Sequence, residues 1–543
     1  MTKKTQTTKI SSLDKLNAFF EARKSYILWM SLALTAVFGL LLFEPKVSIG
    51  GDDSMYINRA YNFIYKGSFP TFQGPLYPIF LGLIIYLLGT KLLLFKIISL
   101  ACYMGHQWFT FKTFKNHLAP ISLFVFLLLL STSAAILFYA SSTYNEVFYL
   151  FVQSIFIYHF TKSYVEKDRA LNLRKDYKSI LLSGFLLLLV AVTKNVGLVA
   201  ALAAIAYFLF VKNWKMSISM AICFILFMGI FSFAKSTFWE VKEMQISNQL
   251  DALISKVPYR QDSEKEDAYG FLMRLVDNSK AYLGYHFRNI FGLASPKKIE
   301  PNTVFTLLIY ALFTTGFFIA LRKSKFWLFI GIFTFTALGV TFLILQTFWL
   351  QERLIIAFTP VVLAFLFYVL FYLFTNGLKK YSMVLVVIFG IAIFANLYRS
   401  ATRIPEQIKI VSKYLSGDKY YGFPDDWIYY LKMTAWVSEH LPEEAYVACR
   451  KPGMAFVYSG GKDFYGIWKV PSNDPEVLYN KLKDAGVTHI IMASLRTNSD
   501  DPNARIINTV RRYLSAINKA YPGRLKMVHQ IGERWPAYLY ELH

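Results

Sequence analysis

Residues 51–60 read GDDSMYINRA. The stretch places two adjacent carboxylates, Asp52 and Asp53, directly before a helical pattern in which Tyr56 and Ala60 share one apolar face. One acid would be enough to cap such a helix, because a single side chain satisfies the free amides of the first turn. Two neighbouring acids raise each other's cost of ionisation and can set up a base near neutral pH. The pair is therefore a candidate catalytic group, with a plain helix cap as the alternative.

The sequence on both sides of this stretch is that of a polytopic membrane protein. Apolar residues make up 55% of the 543 positions and charged residues 17%, against about 25% charged in a typical soluble domain. Apolar runs of roughly 20 residues, long enough to cross a bilayer, recur through about the first 400 positions. The three cysteines, Cys102, Cys223 and Cys449, contain no CxxC motif. These features exclude a disordered chain, a disulfide scaffold and a plain soluble enzyme.

The net charge of +24 is distributed as in a membrane protein. Residues 401–543 contain 19 Lys and Arg against 15 Asp and Glu, a net of +4, so +20 belongs to the rest of the chain. Most of that charge lies in short loops between apolar runs, which is the positive-inside pattern. Because no dense basic stripe follows a soluble element, we expect no nucleic-acid partner.

The basic loops predict eleven transmembrane helices, and an arrangement with thirteen would preserve the same sidedness. They place the N-terminus in the cytoplasm and require the short apolar run 75–89 to lie at the outer interface, because a crossing there would turn every basic cluster outward. The predicted spans are 27–43, 92–113, 119–140, 143–163, 179–193, 196–212, 216–234, 303–321, 326–348, 353–375 and 381–398. We expect a multi-pass protein of the cytoplasmic (inner) membrane, and the Lys, Asn, Ile and Tyr usage suggests an AT-rich bacterial source.

This topology divides the chain into a membrane domain, 1–399, and an extracytoplasmic α/β domain, 400–543. The outer loops of the membrane domain are expected at about 44–91 and 235–300. The predicted elements of the outer domain are helices at 425–440, 475–485 and 502–521 and strands at 445–449, 487–493, 527–531 and 537–542. Its histidines have no metal-ligand spacing, and nothing in it suggests catalysis.

Three further charged residues lie at predicted outer ends of spans. Glu146 ends the turn YASSTYNE, Lys194 interrupts an apolar stretch, and Arg353 opens a span within QERLI. A carboxylate at a membrane boundary is costly unless it is paired or used, although Glu146 also suits a helix cap. A lysine or arginine there suits a lipid phosphate, although Lys194 also suits a snorkelling side chain and Arg353 a pair with Glu352.

The predicted outer loop also contains YLGYHFR at 282–288, with His286 and Arg288. Aromatic rings and a cation suit the wall of a groove for a sugar or an isoprenoid chain. An amphipathic helix at the membrane interface explains the same pattern. The carboxylates leave room for a divalent cation, but no ligand spacing demands one.

The sequence around the acidic pair resembles the opening of the GT-C type membrane glycosyltransferases, and more narrowly the branch of protein O-mannosyltransferases and lipid A aminoarabinose transferases. The shared features are an acidic pair after the first span, a Tyr three residues on, an Ala, a Gly and a Leu-Tyr-Pro segment, here Asp52, Asp53, Tyr56, Ala60, Gly67 and PLYP at 75–78. The second acid is often Glu in the family, and Gly74 stands where the family commonly has a proline.

The resemblance implies transfer of a sugar from a polyprenyl-linked donor on the outer leaflet to a hydroxyl of a protein, a glycolipid or a polysaccharide, with inversion. It implies Asp52 as the base, Asp53 as its orienting partner and Glu146 as the residue that positions the acceptor or the base. The predicted substrate-binding residues are Tyr56, Arg59, Lys194, Arg353, His286 and Arg288, with Lys194 and Arg353 on the donor phosphate.

Two other functions remain open from the residues alone. A lipid-linked-glycan flippase or other transporter would need charges deep within spans, for which Lys96 is the main candidate, and paired broken helices. A non-catalytic scaffold that displays the outer domain would leave the alignment of the acidic and basic residues on one face unexplained.

Overall fold

The computed structural model of the chain describes residues 12–71, 73–167, 171–239, 253–256, 263–295, 298–347, 349–497 and 504–543. The helices of the membrane part are α1 (Ser12–Glu21), α2 (Lys24–Leu41), α3 (Asp52–Lys66), α4 (Leu76–Leu88), α5 (Leu92–Phe114), α6 (Pro120–Thr132), α7 (Ala134–Ala140), α8 (Asn145–Phe160), α9 (Leu173–Thr193), α10 (Leu198–Phe210), α11 (Trp214–Phe238), α12 (Ala268–Ala281), α13 (Phe287–Ile290), α14 (Thr303–Lys323), α15 (Lys325–Ile344), α16 (Arg353–Ile356), α17 (Thr359–Tyr372) and α18 (Ser382–Leu415).

The chain is a mainly helical, multi-pass membrane protein, as predicted. Eight helices within the described ranges are long and apolar enough to cross a membrane, and the pair α6–α7, bent by 58°, makes a ninth. The two other predicted spans are also helical, but shorter or less apolar: α8, which continues as a π turn, and α10. The number of eleven crossings therefore stays a prediction. The predicted loop 235–300 is described only in part, because 240–252, 257–262 and 296–297 lie outside the described residues.

The run 75–89 forms the short helix α4. Its 13 residues extend about 20 Å at 1.5 Å per residue, less than the roughly 30 Å of a bilayer's hydrocarbon core. The helix packs along α3, where the Gly82 Cα lies so close that an added Cβ would be 3.2 Å from the carbonyl oxygen of Ala60. Its position at the outer interface stays a prediction.

Side chains at the turns begin several membrane helices. The Asn213 carboxamide accepts a hydrogen bond from the Met216 amide (3.2 Å), and the Ser324 hydroxyl accepts one from the Trp327 amide (3.3 Å). Such caps satisfy amides that the helix itself leaves free. Short capped turns of this kind separate long apolar helices, which accounts for the antiparallel packing of α14 with α15 and of α10 with α11.

The C-terminal part is an α/β unit, as predicted. It contains α19 (Asp425–His440), α20 (Pro452–Tyr458), α21 (Pro475–Asp484), α22 (Thr509–Ala520), β1 (Tyr446–Cys449), β2 (Phe464–Gly466), β3 (Val487–Ala493), β4 (Leu525–Ile531) and β5 (Ala537–Leu542). The strand order is β2-β1-β3-β5-β4. Strands β1, β2 and β3 are parallel, and β5 pairs antiparallel with both β3 and β4. Helix α18 runs on past the predicted boundary at 399, so the division into two domains there stays a prediction.

The C-terminal part packs directly against α3. An added Cβ on Gly453 would lie 2.7 Å from the Met55 backbone nitrogen, so the start of α20 rests on the first turn of α3. The rings of Tyr61 and Phe456 also meet, at a tilt of 58° and with centroids 5.0 Å apart. The helix that carries the two acids is therefore held between the membrane part and the sheet unit.

Candidate functional site

Asp52 lies in the first turn of α3 and faces outward from it. Its side chain is 34% exposed, and its Oδ2 is 2.6 Å from Nη2 of Arg353, which α16 brings from 301 residues away in the chain. The Arg353 guanidinium also lies 5.2 Å from the centroid of the Tyr144 ring. The site thus has one reachable carboxylate, held in place by a planar cation.

Asp53, in contrast, is completely buried. Its carboxylate accepts hydrogen bonds from the Ser48 amide (2.7 Å), the Ser48 hydroxyl (3.2 Å) and the Ser54 amide (2.8 Å). The Thr143 hydroxyl donates to its backbone carbonyl (3.1 Å). Asp53 therefore fixes the loop before α3 and ties it to the turn before α8.

The surroundings of the two acids separate their pKa values. Burial raises the pKa of Asp52. The charge and hydrogen bond of Arg353, together with the charges of Lys451 and Arg59, lower it by a larger amount, so the pKa of Asp52 lies below the ordinary value. Burial raises the pKa of Asp53, and the opposing effects of Lys96 and the hydrogen bonds do not cancel it. The expectation that the pair sets a base near neutral pH is therefore wrong for Asp52, because Arg353 neutralises the repulsion between the acids.

Glu146 and Lys194 form a second ion pair. Nζ of Lys194 is 2.8 Å from Oε1 of Glu146, whose side chain is 2% exposed. The Asn145 carboxamide donates to the Thr193 carbonyl (3.3 Å) and the Gln73 carbonyl (3.4 Å), which joins the start of α8 to the end of α9. The two residues that the sequence placed on the same face are in direct contact.

Tyr56 lies between the two ion pairs. Its hydroxyl donates to Oε1 of Gln73 (3.0 Å), and the charges of Asp52 and Glu146 both act on it.

Gly74, which follows Gln73 in the chain, has φ +97°, and an added Cβ there would be 2.3 Å from the Thr193 carbonyl oxygen. A proline, fixed near −65°, has no place here, which explains this departure from the family pattern.

The structure does not bring His286 and Arg288 to the acids. The His286 ring is buried between Tyr282 and Tyr285. The Arg288 guanidinium donates to the carbonyls of Gly284 (3.2 Å) and Leu293 (3.1 Å), within its own loop. In the described parts of the chain, neither side chain contacts Asp52 or Glu146, and their role in substrate binding stays a prediction.

Sequence reasoning missed Ser48, Tyr144 and Lys451. The Ser48 hydroxyl is 2.6 Å from the Tyr144 hydroxyl, which connects Asp53 to the ring below Arg353. Tyr144 lies within the YASSTYNE turn and Ser48 lies three residues before the GDDSMYINRA stretch, so the polarity of both residues beside apolar runs could have identified them. The side chain of Lys451 reaches the site from the C-terminal part, and no local sequence pattern predicts this contact.

The three carboxylates in this arrangement already have protein partners. Asp52 is paired with Arg353, Asp53 accepts three hydrogen bonds, and Glu146 is paired with Lys194. Among the described residues, no group of three or more His, Cys, Asp or Glu side chains is placed to hold a metal. Asp52 and Glu146 each use one oxygen in their ion pairs, and Oε2 of Glu146 has no hydrogen-bond partner among the described residues. A divalent cation therefore stays a prediction, and no step below is routed through a metal.

A Lys194→Met substitution is expected to destabilise the protein by about 3–5 kcal/mol, because it leaves the buried Glu146 carboxylate without its partner. The double change Lys194→Met with Glu146→Gln removes both charges, so it should recover a large part of that loss. Unfolding of the purified variants in detergent measures both effects. A single variant as stable as the wild-type chain would contradict the role of this pair in holding α8 to α9.

Comparison with solved structures places this geometry in a known fold, whereas no protein-family model and no curated protein sequence matches the chain. The chain is similar to ArnT from Cupriavidus metallidurans bound to undecaprenyl phosphate, with a TM-score of 0.54 and 12% identity over 94% of this chain and 97% of that one. It is also similar to the Archaeoglobus fulgidus oligosaccharyltransferase, with a TM-score of 0.53 and 11% identity over 94% and 80% in the apo form, and 0.53 and 10% over 93% and 79% in the complex with Zn and sulfate. The chain therefore has the fold of the GT-C type membrane glycosyltransferases, which confirms at the level of the fold the resemblance seen around the acidic pair.

Proposed function

We propose that the chain is an integral membrane glycosyltransferase. It moves a sugar from a polyprenyl-phosphate-linked donor to an acceptor hydroxyl on the outer face of the membrane, with inversion at the sugar. The observation that carries this proposal is the partly exposed Asp52 carboxylate, which Arg353 keeps ionised at the end of the helices where Lys194 also lies. The fold shared with ArnT and the oligosaccharyltransferase supports it.

In the proposed step, the acceptor oxygen attacks the anomeric carbon while Asp52 takes the hydroxyl proton. The bond from that carbon to the donor phosphate oxygen breaks, and the phosphate leaves with the electron pair. Since a phosphate is a stable anion at neutral pH, no strong general acid is needed. The demand is for a carboxylate at the acceptor and for cations at the departing phosphate, which is where Arg353 and Lys194 act.

The ion pair between Asp52 and Arg353 fits this step. A donor phosphate beside Arg353 competes with Asp52 for the guanidinium, because both are anions that accept from the same planar donor. Partial release of Asp52 then raises its basicity at the moment the donor is in place. In this scheme Asp53 positions the loop before α3, and Glu146 positions Lys194.

Transport is the weaker alternative. The transporter hypothesis depended on Lys96 as a charge deep within a span. Lys96 lies near the start of α5 and donates to the carbonyls of Lys46 (2.7 Å) and Ser141 (3.2 Å). A lysine bound to two backbone carbonyls holds chain segments together, which is a structural role. A scaffold function would leave the exposed Asp52 and its cations without a use.

Transfer of a labelled sugar tests the proposal. The purified full-length chain is incubated in liposomes with a radiolabelled lipid-linked sugar extract and with protein, glycolipid or polysaccharide acceptors from the same cells. We expect label to pass to one acceptor class only when the chain is present. Label that crosses the bilayer while it stays on the lipid would instead support a flippase, and label that does neither would support a scaffold.

A further inference from the structure

Lys451 projects from the C-terminal part onto the first turn of α3. It precedes α20, and its Nζ donates to the Gly50 carbonyl (2.6 Å). Gly51 has φ +82°, and an added Cβ there would be 3.2 Å from Cδ of Lys451, so the lysine stem lies flat against the glycine. The partly exposed ammonium is close enough for its charge to act on both Asp52 and Asp53.

Of the three cations Arg353, Lys194 and Lys451, the Lys451 ammonium is the one without an acid in ion-pair contact within the described part of the chain. Arg353 is paired with Asp52 and Lys194 with Glu146, so each of these cations already faces an acid. Lys451 donates to a neutral carbonyl and lies 5.9 Å from the centroid of the Trp427 ring, and among the residues that the structure describes no carboxylate is in ion-pair contact with it. An ammonium has three donors, and only one of them has an acceptor here. Its other two are available to a negatively charged ligand.

We propose that Lys451 binds the phosphate of the lipid-linked donor, so that the C-terminal part completes the donor site. The inference rests on the proposed function, because it takes the ligand to be a polyprenyl phosphate. It assigns to this part of the chain a role in donor binding beyond the display of a separate domain. The fixed approach of Gly453 to α3 holds Lys451 in register with Asp52.

The titration of Lys451 offers an independent readout. Burial and the charges of Arg450 and Arg353 lower the pKa of Lys451 to about 8, against the raising effect of Asp52 and Asp53. A lysine with this pKa is charged below pH 8 and loses its charge above it. Binding of a phosphate through Lys451 should therefore weaken as the pH rises through 8, and an arginine at this position should abolish that dependence.

The test compares undecaprenyl phosphate with undecaprenol, the same chain without phosphate, by their Kd values for the full-length protein in detergent. The variants are Lys451→Met, Lys451→Arg and, as a matched control, Lys469→Met, at an exposed lysine of the C-terminal part. We expect Lys451→Met to weaken binding of the phosphate form by roughly ten-fold, the loss of one charge-assisted contact, and to leave binding of undecaprenol unchanged. Lys451→Arg should stay within about three-fold of the wild type.

Each outcome decides the assignment. Equal affinity of Lys451→Met and wild type for undecaprenyl phosphate, or an equal loss for undecaprenol, would overturn it while leaving the proposed transfer standing. A wild-type chain that binds neither lipid would overturn both proposals. Displacement of the lipid by equimolar inorganic phosphate would overturn the lipid assignment in favour of a free phosphate site. The assignment is supported if binding of undecaprenyl phosphate no longer weakens above pH 8 in Lys451→Arg but still does so in the wild type and in Lys469→Met.

Discussion

An Asp52→Asn chain is expected to lose sugar transfer by a factor of about 10² to 10⁴, the range that a positioned general base contributes. Asparagine has nearly the same shape and still accepts a hydrogen bond from Arg353, so folding and membrane insertion should be retained. It cannot take the acceptor proton, because its amide oxygen is a very weak base. The initial rate of transfer by purified protein in liposomes measures the effect.

The controls separate Asp52 from its neighbour and from the loss of charge in general. Asp53→Asn should reduce transfer less than Asp52→Asn, since Asp53 is buried and acts through the loop before α3. Asp484→Asn, at an exposed acid that ends α21, should transfer as the wild type does. If Asp53→Asn were folded and the more severe of the two variants, the roles of the acids would be reversed.

Replacement of Arg353 is expected to change both the rate and the pH profile of transfer. Burial raises the pKa of Asp52, and Arg353 is the main group that lowers it. Without the guanidinium, the pKa of Asp52 should therefore rise. The acid is ionised above its pKa, so transfer falls as the pH drops through that value. In the wild type this fall lies below the ordinary pKa of an aspartate, and in Arg353→Met it should move to higher pH.

Arg353→Met should also lose roughly 10²-fold in rate at neutral pH, because a cation beside the departing phosphate is absent. Arg353→Lys should restore the wild-type pH profile more fully than the rate, since an ammonium supplies charge without the planar fork. Arg512→Met, at an exposed arginine of α22, serves as the matched control. A pH profile of Arg353→Met that superimposes on that of the wild type would contradict the ion pair as the cause of the low pKa of Asp52.

Local sequence patterns predicted the elements well. A helix beside the acidic pair, the short apolar helix α4 and the strand β3 at 487–493 follow from apolar periodicity, run length and turn residues, all of which act over a few positions. The helix α3 begins at Asp52, so the acids lie in its first turn, whereas the sequence predicts them directly before the helix. The same logic placed Glu146 and Lys194 on one face, and the structure puts them in contact.

What the sequence did not give are the contacts between distant segments. The pair of Asp52 with Arg353 joins positions 301 residues apart, and Lys451 meets Gly50 across 401. Such partners depend on helix packing that no local pattern encodes, and they decide the charge state of the site. For this reason the sequence predicts a pKa near neutral for Asp52, whereas the structure lowers it. The requirement for glycine at position 74 likewise depends on a distant contact, with the Thr193 carbonyl.

The most direct test of the central claim is mass spectrometry of polyprenyl-linked sugars and surface glycans from cells that carry the native chain, no chain or the Asp52→Asn chain. A glycosyltransferase with Asp52 as its base predicts that one lipid-linked sugar accumulates, and one glycan lacks that sugar, in both defective strains. Unchanged glycans with Asp52→Asn, together with altered glycans when the chain is absent, would contradict the account, because the protein would then act without this carboxylate.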